Sequence, residues 1–118
     1  MNFRVDGSSP RYLDNVTVVS GTTYTGDLLL LYGVNTISIQ VFCTNGGAGT
    51  LNVDATNQDV ANALFITPTS QAVAANGAAY VTYAPTDQVT GMRSMRLRFV
   101  ASAAGNVTVA INMRRLSA

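Results

Sequence analysis

The chain contains no lysine, no glutamate, no histidine and no tryptophan, and it has one cysteine. Without histidine, zinc sites and Ser-His-Asp or Cys-His catalysis are excluded. Without lysine there is no Gly-rich phosphate loop of the Walker kind. Without glutamate there is no glutamate-based glycosidase pair. Cys43 stands alone, so no intrachain disulfide can form, and its place in the apolar run QVFC marks it as a buried structural thiol. No apolar run approaches the ~18 residues that a membrane span needs. The opening MNFRVDGSSP lacks the basic, apolar and small-residue order of a secretory signal, so the chain is expected to be made in a cytoplasm. No enzyme activity, cofactor or metal is expected.

What remains is an apolar, weakly charged polypeptide. Apolar residues make up 47% of the 118 residues and charged ones 11%, against about 25% charged in ordinary soluble domains. Six aspartates and seven arginines carry all the side-chain charge, for a net charge of +1. Bulk electrostatics therefore favour neither a polyanion nor a membrane surface as partner. A surface so poor in long charged side chains is weakly guarded against self-association, and it suits a protein covered by neighbours. The length fits one domain, 1–118.

Thr, Val, Ile and Tyr recur in short runs broken by Gly, Asn, Asp and Pro, and helix signals are almost absent. The pattern predicts strands over 3–5, 15–19, 26–32, 35–44, 49–55, 63–67, 78–84, 94–101 and 106–114. Residues 44–49, 56–62 and 70–78 read as loops. The spacing is that of an all-β chain: a single antiparallel β-sandwich, jelly-roll-like or immunoglobulin-like, of about eight or nine strands. In TISIQVFC, Ile37, Ile39, Val41 and Cys43 share one face. In GTLNVDA, Leu51, Val53 and Ala55 oppose Thr50, Asn52 and Asp54. DLLLLYG breaks the rule, because its four leucines make both faces apolar and call for cover on both sides, from within the domain or from another subunit.

Five of the seven arginines fall between residues 92 and 116. Met95, Leu97, Phe99 and Ala101 share a face, as do Val107, Val109, Ile111 and Met113. A hairpin with a three-residue turn at 103–105 satisfies both sets, with Gly105 as the left-handed residue. That register draws Arg93, Arg96, Arg114 and Arg115 to one end. Like charges opposed in this way cost up to roughly 1 kcal/mol per pair, so a counter-charge is needed: Asp87 just upstream, or a carboxylate or phosphate from a partner. Arginine is enriched in protein interfaces and binds carboxylates bidentately. A nucleic-acid reader carries a wider basic patch than this.

Asp54, Asn57 and Asp59 cluster in LNVDATNQD, but their spacing does not match a calcium loop. NVT sequons occur at Asn15 and Asn106 and matter only in a secretory pathway. Tyr12, Tyr24, Tyr32, Tyr80 and Tyr83 could stack on sugar rings, which keeps a carbohydrate-binding module in view.

The run TISIQVFCTNGGAGTLNVDATNQDVANALFI, with Arg96–Arg98 and Gly105–Asn106–Val107–Thr108–Val109, resembles small β-sandwich structural proteins of tailed bacteriophages. The resemblance spans about the last two thirds of the chain, and Leu64 or Phe65 stands where that pattern has tryptophan. It implies a virion module, most often a capsid decoration or cement protein and less often a tail or fibre component. On that reading the chain is a homo-oligomer, trimer favoured, bound to the major capsid protein on the capsid surface and made in the host cytoplasm. Leu28, Leu30 and Tyr32 of DLLLLYG, with the Val/Ala-rich segment 72–83, would supply apolar self-contacts, and Arg93, Arg96, Arg114 and Arg115 would meet carboxylates on the major capsid protein. A nucleic-acid-binding coat protein is the remaining alternative.

Overall fold

The structure is a computed structural model that describes residues 11–58, 63–87 and 89–115. Among these described residues nine strands follow in order: β1 (Arg11–Val18), β2 (Thr23–Thr25), β3 (Leu29–Leu30), β4 (Thr36–Thr44), β5 (Ala48–Thr56), β6 (Ile66–Val73), β7 (Ala78–Tyr83), β8 (Ser94–Ala103) and β9 (Gly105–Arg114), with one 3₁₀ turn at Val89–Gly91. One sheet has the order β1-β9-β4-β7 and the other β2-β8-β5-β6, with β3 also on β8. Every described pairing is antiparallel. Taking β2 and β3 as one interrupted strand leaves eight, and all connections but β5–β6 cross from one sheet to the other. That is the jelly-roll arrangement of the β-sandwich.

Alternation places the core. Ile39 lies opposite Val81 on one side and Ile111 on the other, while Leu51 lies opposite Phe99 in the facing sheet. These side chains, with Val41, Val53, Leu97, Val107 and Val109, are buried between the layers. Each contributes roughly 1.5–3 kcal/mol by leaving water. Cys43 is buried among them, as expected, and burial pushes its thiol above the usual cysteine range.

The expected C-terminal hairpin does not form. β8 pairs with β2, β3 and β5, whereas β9 pairs with β1 and β4, so the two lie in facing sheets joined by an arch. In a hairpin the odd-numbered residues of both strands turn to the same side of one sheet. In an arch they meet across the core, and the apolar pattern is the same for both. Gly105 also has a different reason to be glycine. Its φ is not positive; instead a Cβ there would stand 2.1 Å from Gly47 N and 2.6 Å from Thr44 O. The β8–β9 arch rests against the β4–β5 arch, and only a bare Cα fits.

Three strands differ from expectation for local reasons. The expected strand over 26–32 is broken, because Thr25 pairs with Arg98 and Leu29 with Met95, setting four steps on the edge against three on β8. β6 runs Ile66–Val73 and not 63–67, so residues 70–73 are strand where a loop was expected. It is an edge strand, and a bulge beside Pro68 lets Thr69 face Val53 while Ile66 faces Ala55. β1 begins earlier than residue 15 and carries Asn15 at φ 53° in its own bulge. The expected strand over 3–5 lies outside the described residues.

Candidate interface at the loop-rich end of the sandwich

The two ends of the sandwich are built differently. At one, tight arches turn through left-handed Gly21, Asn45, Gly46 and Asn76. Asparagine side chains brace them: Asn45 Nδ2 donates to Asn106 Oδ1 at 2.8 Å, and Gly46 N donates to Asn76 Oδ1 at 2.8 Å. The other end gathers the long connections, whose described residues are 31–35, 57–58, 63–65, 84–87 and 89–93.

The DLLLLYG segment enters this loop-rich end. Leu29 and Leu31 reach the core, whereas Leu30 is 62% and Tyr32 84% exposed and Leu28 is also exposed. The fold therefore covers one face of the segment and leaves the other bare. Exposed Leu64 and Ile66 stand at the same end, on the β6 side of the sheet. Such a concentration of bare apolar side chains makes this end the candidate contact surface.

Arg93, Arg114 and Arg115 are brought to this same end, from facing sheets and not from one hairpin. The crossing segment is pinned between them: Leu31 N donates to Arg93 O at 2.9 Å and Asn35 N to Arg114 O at 3.0 Å. Arg115 Nε donates to the carbonyl of Gly33 at 3.2 Å. Gly33 sits at φ 71°, and a Cβ there would meet the Arg115 guanidinium at 2.2 Å. Arg93 N donates to Asn57 Oδ1 at 2.8 Å. Beside Tyr32 a cleft of about 550 Å³ opens, lined also by Asn35, Asn57, Thr90, Met92 and Arg93.

Arg96 is separated from that group. It points outward from β8 together with Arg98, and both grip Asp54 of the neighbouring strand β5. Arg98 is bidentate, with Nε to Oδ2 at 2.6 Å and Nη2 to Oδ1 at 3.1 Å. Arg96 Nε adds a bond to Oδ2 at 3.0 Å, and Thr67 Oγ1 donates to Oδ1 at 2.7 Å. Asp54 is 1% exposed, while Arg96 and Arg98 keep 32% and 29%. Burial alone would raise the Asp54 pKa, but the hydrogen bonds from Arg98, Thr67 and Arg96 outweigh it and hold the carboxyl below its ordinary value. The Arg96 guanidinium also lies 3.9 Å from the centroid of the Phe65 ring, a cation–π contact.

Asp87, the expected local counter-charge, is spent elsewhere: its Oδ2 accepts from Ala84 N and closes the 84–87 turn. The carboxylate that Arg96 and Arg98 meet is Asp54. A signal for it was present, since Asp54 is the one charged residue of β5 and has the outward parity of Arg96 and Arg98. Both of its oxygens are occupied by donors, and Asn57 Oδ1 is bonded to Arg93 N; among the described residues no group of three or more acidic, His or Cys side chains could hold a metal. Asp59 lies outside them. Of the tyrosines weighed as sugar platforms, Tyr32 and Tyr80 are exposed but on different surfaces. Tyr24 and Tyr83 use their hydroxyls internally, with Val19 N and Thr69.

The chain is thus a jelly-roll β-sandwich with an apolar, arginine-flanked end. No protein-family model matches it, and no curated protein sequence matches it. Among solved structures, the crystal structure of the SPBc2 prophage-derived protein YomS is similar, with a TM-score of 0.63 at 12% identity over 92% of this chain and 92% of that one. The likeness is one of fold. No helix among the described residues is long and apolar enough to cross a membrane.

Proposed function

We propose that the chain is a non-enzymatic structural protein of a bacteriophage particle, a decoration or cement protein that associates with its own copies and binds the major capsid protein. The observation that carries this reading is the loop-rich end, where Leu28, Leu30 and Tyr32 stand bare beside Arg93, Arg114 and Arg115. Apolar side chains in a patch, rimmed by arginine, are the composition of a protein contact. The phage origin of a protein with the same fold supports the particle setting. The low charge of the whole chain supports a surface meant to be covered by neighbours.

On this reading the tight-arch end is the rigid base and the loop-rich end the working face. Self-contact uses the leucine and tyrosine side chains, and the three arginines bind carboxylates on the capsid lattice. The test is compositional. Particles purified from the phage that encodes this sequence should contain the chain in fixed stoichiometry by quantitative mass spectrometry. A chain abundant in the infected lysate but absent from washed particles would overturn the reading.

A further inference from the structure

We infer that Arg96, held by Asp54 and Phe65 on the outer face of the β8–β5 sheet, is a built receptor for a carboxylate on a partner protein. Arg98 alone already neutralises Asp54 through its two-pronged contact, and Thr67 fills a further acceptor position. Arg96 is therefore a surplus cation. Its Nε edge is fixed by Asp54 and its flat face by Phe65. Its two Nη groups have no hydrogen-bond partner among the described residues.

A guanidinium normally pays conformational entropy to order itself on a ligand. Here the ordering is complete before a ligand arrives, and the unused Nη pair has the fork geometry that a carboxylate accepts bidentately. Phosphate shares that geometry, but a phosphodiester backbone calls for a basic stripe. This surface instead sets Arg96 against the apolar ring of Phe65, whose chain neighbour Leu64 is exposed. A protein segment with an acidic residue among apolar ones is the occupant that fits both.

The inference rests on the reading that the chain works by binding protein surfaces, and it concerns a site apart from the Leu30–Tyr32 patch. The test titrates the full chain, ¹⁵N-labelled at arginine, with hexaglutamate, inorganic phosphate and oligo(dT). Hexaglutamate should shift the Arg96 side-chain resonances saturably, and added salt should weaken the effect. Arg96→Gln should reduce hexaglutamate affinity about tenfold or more, as expected on losing a charge-assisted pair. Gln40→Ala, exposed on the outer face of the other sheet, should leave it unchanged. Because Arg98 and Thr67 still satisfy Asp54, Arg96→Gln should keep its fold and its sedimentation behaviour, which separates this site from self-association. No saturable shift at Arg96, equal binding by the Arg96→Gln variant, or tighter binding of phosphate or oligo(dT) would each overturn the proposal.

Discussion

Asp54→Ala should lower the unfolding free energy by about 3 kcal/mol, near the low end of the cost of breaking a buried ion pair. The carboxylate is 1% exposed and accepts four hydrogen bonds, so its removal strands three donor groups at once. It also leaves Arg96 and Arg98 two residues apart on one strand with nothing between them. The low end applies because both guanidiniums keep about a third of their exposure and water can screen them. Urea denaturation of the two proteins measures the difference. A loss below about 0.5 kcal/mol, the size of an ordinary surface substitution, would mean that this cluster does not secure the sheet's outer face.

The same carboxylate sets a pH dependence whose sign is fixed. Its pKa is lower in the folded than in the unfolded chain, where 3.8 is the ordinary value. The stabilisation is therefore complete above that value and is lost as the pH falls through the lower, folded one. Asp54→Asn should flatten the acid limb of the stability curve in that window and leave its slope near neutrality unchanged.

Gly105→Ala should cost a further, independent ~3 kcal/mol, at the upper end for overpacking. The new methyl would lie 2.1 Å from Gly47 N, 2.5 Å from Gly47 Cα and 2.6 Å from Thr44 O. All three are backbone atoms of the facing arch, so no side-chain rotation relieves the clash and one arch must move off the other. A drop in melting temperature of roughly 10 °C follows for a domain of this size. Gly91→Ala is the matched control, because a Cβ there meets nothing within 4 Å and its φ is not left-handed. It should be close to neutral. Equal behaviour of the two variants would remove the close approach of the arches as the reason for Gly105.

These residues also show where the sequence was readable. Inward and outward faces were legible, because a period of two fixes them: Met95, Leu97, Phe99, Val107, Val109 and Ile111 are all buried as their spacing requires. Partners were not, because β8 and β9 satisfy the same parity as a hairpin or as an arch. The arginines were consequently placed in one cluster, when β8 carries Arg96 and Arg98 to Asp54 and only Arg93, Arg114 and Arg115 share an end. Gly105 was seen as a necessary glycine but for a turn conformation it does not adopt. In the leucine run the demand for cover on both faces was legible, and the fold meets it on one face only. Leu29 and Leu31 are covered; Leu28 and Leu30 are not. Contacts between sheets leave no local periodicity, which is why the arch escaped.

The bare leucines are where the account is most exposed to test. Leu30 meets β8 through its backbone opposite Ser94 and is 62% exposed, so Leu30→Asp should leave the domain folded. Sedimentation velocity of the wild-type chain and of this variant, at matched concentrations and with circular dichroism as the check on folding, puts the question directly. The wild type should sediment as an oligomer, a trimer on the favoured reading, and the Leu30→Asp chain as a folded monomer. A wild-type chain that stays monomeric at every concentration, or a variant that assembles as well as the wild type, would contradict it.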